Sequence, residues 1–343
     1  MPEWPQNGQS QLSSQDQRSR AMPHHFVSPA PGELQTIQDW LRFAVTSFNQ
    51  AELSYGHGTS SALDEAAFLI LSTLGLQPDS LETWVSCRLT AAESAAVAAI
   101  IARRIETRKP ASYLTQSAWI GSHKFYVDER VIVPRSFVGE LICRDGLAAI
   151  VDEPDAVASV LDLCTGSGCL AILAALAFPG ARVDASDISV DALDVASCNV
   201  ADYGLEARVA LHKADLFDDL PQVTYDLIIA NPPYVTAAAV AAFPPEYQAE
   251  PQLAHLGGDD GLALVHRILG HARRWLSPHG TLIVEIGDGR EGLELARPDL
   301  PFLWLDTETS EGEVFALSAA DLDVKVKAST PARSPSKKPK PAR

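Results

Sequence analysis

The chain has little of what marks a membrane, secreted or metal-bound protein. No apolar run reaches the roughly 18 residues that a bilayer span needs. The nearest approach, "AAESAAVAAIIA", is interrupted by Glu93 and followed by Arg103 and Arg104. The N-terminal stretch "MPEWPQNGQSQLSSQDQRSR" lacks the charged-then-apolar order of a signal peptide. Both absences predict a soluble, cytoplasmic protein with no membrane partner. Cysteine is sparse and scattered, at Cys87, Cys143, Cys164, Cys169 and Cys198, with no C-x-x-C spacing. Such a set argues against a disulfide framework and against a zinc or other metal site, and small buried thiols are the expectation. Positive charge is also scarce: 27 Lys and Arg stand against 44 Asp and Glu, a net charge of −17. Seven of the basic residues fall within 325–343, where no acidic residue occurs, so the remainder carries about −24. A body this acidic is repelled by nucleic acid unless a local basic groove intervenes. It attracts a basic protein partner.

What is present is a globular composition, 46% hydrophobic over 343 residues, enough for a core and for roughly two domains. Residues 1–32 are rich in Gln, Ser and Pro and predict a disordered arm. From Glu33 the pattern changes. Leu34, Ile37, Trp40, Leu41, Ala44, Val45 and Phe48 place one apolar stripe on a helix. A second helix is expected after a cap at Thr59 or Ser60, running to Gly75, and a third from Thr90, with Glu93 completing a capping box. Residues 33–109 therefore read as a helical domain. Two β-prone runs, near 117–120 and 124–133, flank a Gly-Ser-His turn, so 110–135 reads as a hairpin linker. Across 136–322 strand and helix alternate, through "VASVLDLC", "ARVDASD", "RVALHKAD", "YDLIIA", "GTLIVEIG", "FLWLDTE" and "GEVFALS". This rhythm predicts a mostly parallel sheet covered on both faces, with ligands outside the carboxyl ends of its strands. Residues 323–343 form a basic, Pro-rich tail, read as a solvated disordered end, with a ribosomal RNA contact as the alternative.

The chemistry concentrates at four strand ends. The first reads "LDLCTGSGC": Asp162 closes the strand, and Gly166 and Gly168 permit a tight turn with close backbone approach to a ligand. The second ends in Asp187, placed to accept both hydroxyls of a ribose, as in any adenosine cofactor including NAD; the competing role is a helix cap. The third ends in Asp215, which either reads an adenine amino edge or is a plain loop carboxylate. The fourth ends in Asn231-Pro232-Pro233-Tyr234. Two prolines make a stiff corner. The Asn231 carboxamide and the following carbonyl can then accept both hydrogens of a target –NH2 group, with Tyr234 packing on a planar substrate group. That corner separates S-adenosylmethionine from NAD. All nine histidines lie outside these loops, and surface or packing roles are expected for them.

"LDLCTGSGC", "DIS", "ADLF" and "NPPYV" resemble the seven-strand S-adenosylmethionine methyltransferases that modify planar –NH2 groups. "FYVDERVIVPRSFVGELI" and "FPPEYQAEPQLAHLGGDDGLALVHRIL" resemble the protein-glutamine methyltransferases, over about residues 34–320. The resemblance implies a seven-stranded Rossmann-like α/β sheet joined through a hairpin to N-terminal helices that help select the protein substrate. Within the family, "VPRS" and "CTGSGC" look like the branch acting on the third protein of the large ribosomal subunit. The sister branch, acting on peptide-chain release factors, usually reads "PRPET" and has glycine where this chain has Cys164. Carried over by position, the cofactor loop falls on Cys164, Thr165, Gly166, Ser167 and Gly168 and the ribose acid on Asp187. The adenine region falls on Asp215 and Leu216, and the amide site on Asn231, Pro232, Pro233 and Tyr234. The expected activity is methyl transfer to a glutamine amide of a basic ribosomal protein. Release factors, adenine in nucleic acid and a non-catalytic binding module are the competing readings. The acidic body disfavours nucleic acid, and an intact cofactor loop and tetrapeptide disfavour the module.

Overall fold

The computed structural model describes residues 26–151, 153–308 and 310–323. The expected arm up to residue 25 and nearly all of the basic tail lie outside the described residues. Two compact units emerge, one from residues up to Ser54 together with Ser61–Arg108, the other from Tyr55–Ser60 and everything from Lys109 onward.

The first unit holds α1 (Ile37–Gln50), α2 (Ala62–Thr73), the short α3 (Leu81–Trp84) and α4 (Ala91–Thr107). Thr36 and Asp39 close a capping box on α1, which buries Ile37, Trp40, Ala44 and Phe48 along one stripe. Thr90 and Glu93 do the same for α4. The cap of α2 is Ser61, one or two residues later than expected; its hydroxyl accepts from the Asp64 N–H. Arg104, which follows the apolar run of α4, is fully buried, its Nε donating to Glu65 at 2.5 Å. Residues 26–32 belong to the stretch expected to be a disordered arm. They begin with Phe26, whose ring meets Phe43 edge-on at 5.9 Å.

In the second unit, α5 (Ala111–Thr115) leads into the hairpin β1 (Ala118–Ile120) and β2 (His123–Phe125), followed by α6 (Phe137–Asp145). The second hairpin strand is far shorter than the β-prone run to 133. The Tyr126 N–H is taken by the Asn199 carboxamide and the Val133 N–H by the Glu250 carboxylate. Pro134 has no N–H to offer, so no strand ladder forms there. The sheet is built from β3 (Ser159–Leu163), β4 (Arg182–Asp187), β5 (Val209–Lys213), β6 (Tyr225–Ala230), β7 (Leu276–Glu285), β8 (Leu303–Leu305) and β9 (Val314–Ser318). Its order is β5-β4-β3-β6-β7-β9-β8, parallel except for β9, which runs against both neighbours. This is the seven-stranded Rossmann-like α/β sheet expected from the sequence.

Helices α7 (Cys169–Ala177), α8 (Val190–Asp202), α9 (Ala237–Ala241), α10 (Ala263–Trp275) and α11 (Arg290–Ala296) complete the unit. Strand β6 explains the continuous apolar run "LIIA". Leu227 and Ile229 enter the core on one face and Ile228 and Ala230 the core on the other, all fully buried. No helix among the described residues is long and apolar enough to cross a membrane. The cysteines are less buried than expected: Cys87, Cys143 and Cys198 are exposed, Cys164 is half-buried and only Cys169 is in the core.

Candidate active site

Sheet register decides which residues meet. Leu163 of β3 lies opposite Ala230 of β6, and Ala230 opposite Val284 of β7. The next residues, Cys164, Asn231 and Glu285, therefore emerge side by side at the carboxyl edge. Ser186 of β4 is also level with Leu163, which brings Asp187 to the same edge. The chain order reverses between β3 and β6, the switch point where α/β sheets open a crevice. A cavity of about 400 Å³ lies there, lined by Cys164, Gly166, Asp187, Asp215, Leu216 and Asn231 among others.

The half expected to take a cofactor is centred on Asp187. Its Oδ2 accepts from the Gly166 N–H and its Oδ1 from the Ser189 N–H, each at 2.9 Å. Each oxygen keeps a further lone pair, which matches a vicinal diol with two donors. Burial pushes the carboxyl up, opposed by the N–H groups of Ser189, Gly166 and Ile188. Incoming hydroxyls would favour its charged form. Gly166 sits at φ +54, and a Cβ built there meets nothing within 4 Å, so the turn presents open backbone to the cavity. Asp215 reaches the cavity while pairing with Arg267 at 2.9 Å. Cys164 and Leu216 both hold positive φ, +58 and +56, a conformation that L residues rarely adopt and that suits tight corners at a ligand site. These features fit an adenosine-bearing cofactor.

Four other residues of the expected cofactor set do not reach the cavity. Asp162 is fully buried beneath the turn, accepting from the Thr165 hydroxyl at 2.5 Å and the Ala171 N–H at 3.0 Å. Burial pushes its carboxyl up to about 7. Thr165 is occupied by that bond, and the Ser167 carbonyl accepts from Asn199. A Cβ on Gly168 would stand 3.1 Å from the Ala196 Cβ, so this glycine lets α7 and α8 approach. These four shape the turn from behind.

On the other half, Asn231 lines the cavity and its Nδ2 donates to the Arg135 carbonyl at 3.3 Å. The reverse amide orientation would set two carbonyl oxygens against each other, so the contact assigns the amide. Oδ1 is left as the acceptor. Pro233 borders the cavity, whereas Pro232 is buried and is not on its lining.

With that geometry in view, the comparisons decide the family. The Methyltransferase small domain family model matches residues 147–243. The chain is 53% identical over 319 residues to the ribosomal protein uL3 glutamine methyltransferase of Bradyrhizobium diazoefficiens, covering 92% of this chain and 100% of that relative. The protein of the same name from Burkholderia pseudomallei is 52% identical over 303 residues, covering 86% and 98%. That of Neisseria meningitidis serogroup B is 52% identical over 301 residues, covering 88% and 99%. The chain belongs to the ribosomal protein uL3 glutamine methyltransferase family. It is a methyltransferase.

Against that family expectation, Tyr234 is placed unexpectedly. Its hydroxyl donates to Glu285 Oε1 at 3.2 Å, and its ring covers Gly287, where a Cβ would come within 2.7 Å. It borders a separate cavity of about 360 Å³ rather than the one holding Asn231 and Asp187. In this structure it buttresses the corner from behind instead of facing a substrate group. Glu285 itself was missed in the sequence. It is 1% exposed, and its Oε2 accepts from the Ser136 hydroxyl at 2.7 Å and the Phe137 N–H at 2.9 Å. Burial pushes its carboxyl up to about 7 against those donors.

Glu250, Arg135, His57 and His255 were also missed as a group. Glu250 takes the Arg135 guanidinium at 2.9 Å on each oxygen. His255 Nε2 and His57 Nε2 lie 3.1 and 3.5 Å from Glu250 Oε2. Both histidines are buried, at 3% and 1%, so of the surface or packing roles expected for histidines these two take interior positions, beside the Glu250 carboxylate. Burial raises the Glu250 carboxyl, but His255, His57 and Arg135 outweigh it and hold the group far below the usual carboxylate range. Among the described residues, no group of three or more His, Cys, Asp or Glu is arranged to hold a metal ion.

Proposed function

We propose that this protein methylates the side-chain amide nitrogen of a glutamine in ribosomal protein uL3, in the cytoplasm. The observation that carries the reading is the Asn231 amide on the cavity wall, with Nδ2 committed to Arg135 and Oδ1 left as an acceptor. The substrate class follows from the shared name of relatives that match along nearly their whole length.

Asp187 would hold the ribose hydroxyls of S-adenosylmethionine, Cys164 and Gly166 would flank it, and Asp215 and Leu216 would border its adenine. Bound there, the donor supplies a methyl carbon on a cationic sulfur with a good leaving group. The protein's own work lies on the amide. A glutamine nitrogen shares its lone pair with the carbonyl and is a poor nucleophile. Asn231 Oδ1, the acceptor open to the cavity, takes an N–H of that amide, which raises electron density on nitrogen and fixes its direction. Proline at 232 and 233 removes two backbone freedoms, so the Asn231 acceptor is set before substrate arrives. Alignment of this kind can contribute about 7–11 kcal/mol to lowering a barrier.

Incubation with labelled S-adenosylmethionine and purified uL3, release factor or undermethylated RNA tests the reading. Label on a uL3 glutamine is expected; label only in release factor or RNA would overturn it. Asn231→Ala should abolish transfer yet keep most donor affinity in a binding titration. Equal loss of both would mean that Asn231 serves the donor and not the amide.

A further inference from the structure

Asn231 can act only if its carboxamide faces the right way, and the group that sets its direction is a main-chain carbonyl 96 positions earlier in the chain. The question is what holds that carbonyl. The Val133–Ser136 turn is clamped by two buried carboxylates. Glu285 takes Ser136 and Phe137, as described above. Glu250 takes the other side: its Oε1 accepts from the Val133 N–H at 2.8 Å, and both its oxygens accept from the Arg135 fork. The Arg135 carbonyl thus lies between two positions that Glu250 fixes, a main-chain N–H two residues back and its own side chain.

Glu250 also faces the corner from behind. His255, beside Glu250 Oε2, gives its carbonyl to the Val235 N–H at 2.8 Å, and Val235 returns its own carbonyl to the Gly257 N–H at 2.9 Å. Val235 directly follows the tetrapeptide. A third segment closes the cluster. His57 packs against Tyr247 with ring centroids 4.1 Å apart and planes tilted by 53°, and the Arg135 guanidinium lies 5.8 Å from the centre of the same Tyr247 ring. One carboxylate therefore gathers the turn that orients Asn231, the segment bridged to the corner, and the 55–60 segment.

We infer that Glu250 is a positioning residue for methyl transfer: by holding Arg135 and Val133 it places the Arg135 carbonyl that orients the Asn231 amide. This rests on the role proposed for Asn231. Glu250 is buried and does not line the cavity, so its loss acts through geometry. Misplacement of a reacting group by about 1 Å costs on the order of 100-fold in rate.

Two measurements on the full chain test this. The chain has four asparagines, Asn7, Asn49, Asn199 and Asn231. Selective ¹⁵N-asparagine labelling therefore gives four side-chain amide signals, and Asn231→Asp identifies the relevant one by its loss. In Glu250→Gln the Asn231 signal should shift or broaden, whereas an unchanged signal would overturn the inference whatever the substrate is. The second measurement is a double-mutant cycle. Asn231→Asp keeps an acceptor on the cavity but has no donor for the Arg135 carbonyl. Glu250→Gln should lower kcat about 10- to 100-fold in the native background. It should have little further effect on the residual rate of Asn231→Asp, with donor affinity unchanged in both. Equal fold-losses in the two backgrounds would reduce Glu250 to a packing residue. If Glu250→Gln does not fold, Arg135→Lys, which leaves the Glu250 charge paired, runs the same cycle with the same expected outcomes. Failure of native protein to label uL3 would sink the functional reading alone, because the amide signal does not depend on it.

Discussion

Two glycines, two positions apart, do different work. Gly166 and Gly168 both have positive φ, +54 and +80, so alanine at either meets the left-handed cost of about 1–2 kcal/mol. Beyond that they diverge. A methyl group at 166 would project into open space at the cavity; at 168 it would come 3.1 Å from the Ala196 Cβ and 3.3 Å from its Cα. Gly168→Ala should therefore add an overpacking cost of about 1–3 kcal/mol between α7 and α8, seen as a lower urea midpoint, while its folded fraction still binds donor. Gly166→Ala should lose less stability and more donor affinity. The reverse ranking, with Gly168→Ala the weaker binder and Gly166→Ala the less stable, would mean that the two roles are exchanged. The sequence places both glycines in one turn and cannot divide their tasks, because the neighbour that decides it, Ala196, lies on another helix.

At the scale of elements, all seven sheet strands were legible, because each is a short apolar run bounded by turn residues and followed by a helix or loop. Strand ends carrying Asp187, Asp215 and Asn231 were legible for the same reason. The clamp behind the corner was not. Arg135 and Glu250 are 115 positions apart, and neither sits in a motif whose spacing announces a pair. The "VPRS" stretch served as a fingerprint of relatedness, and only the fold shows that its Arg and Ser are gripped from opposite sides. Those grips carry a pH signature. Asp162 at β3 and Glu285 at the end of β7 are buried with carboxyls raised to about 7. Between the ordinary carboxylate value of roughly 4 and that point, the folded state keeps protons that the unfolded chain releases. Their contribution to stability is therefore full in acid and declines as pH rises from about 4 to 7. Glu250, held low, works oppositely: its contribution is present above the ordinary value and is lost as pH falls below it. Glu285→Gln should flatten the fall of unfolding free energy between pH 5 and 7, where one such group contributes at most about 1.4 kcal/mol per pH unit. An unaltered slope would show that Glu285 is ionised in the folded protein.

For the whole molecule the governing quantity is charge. With the seven basic residues of 325–343 set aside, the remaining chain carries about −24. On the proposed reading, the acidic enzyme and a basic ribosomal protein attract over a distance set by salt, about 10 Å at 0.1 M and 3 Å at 1 M. Attraction of this range speeds encounter and leaves the chemical step alone. With free uL3 as substrate, kcat/KM should therefore fall by about 10-fold or more between low and high salt, while kcat at saturation changes little. Deleting 325–343 removes positive charge only, so it should leave kcat/KM for free uL3 unchanged or raised at low salt. A loss on deletion would mean that the tail touches the substrate directly. A loss seen only with assembled ribosomal particles would instead locate its contact on their RNA, since a run of Lys and Arg binds phosphate with the salt dependence of counterion release. Salt titration of the two forms on the two substrates separates steering by the acidic body from binding by the basic end.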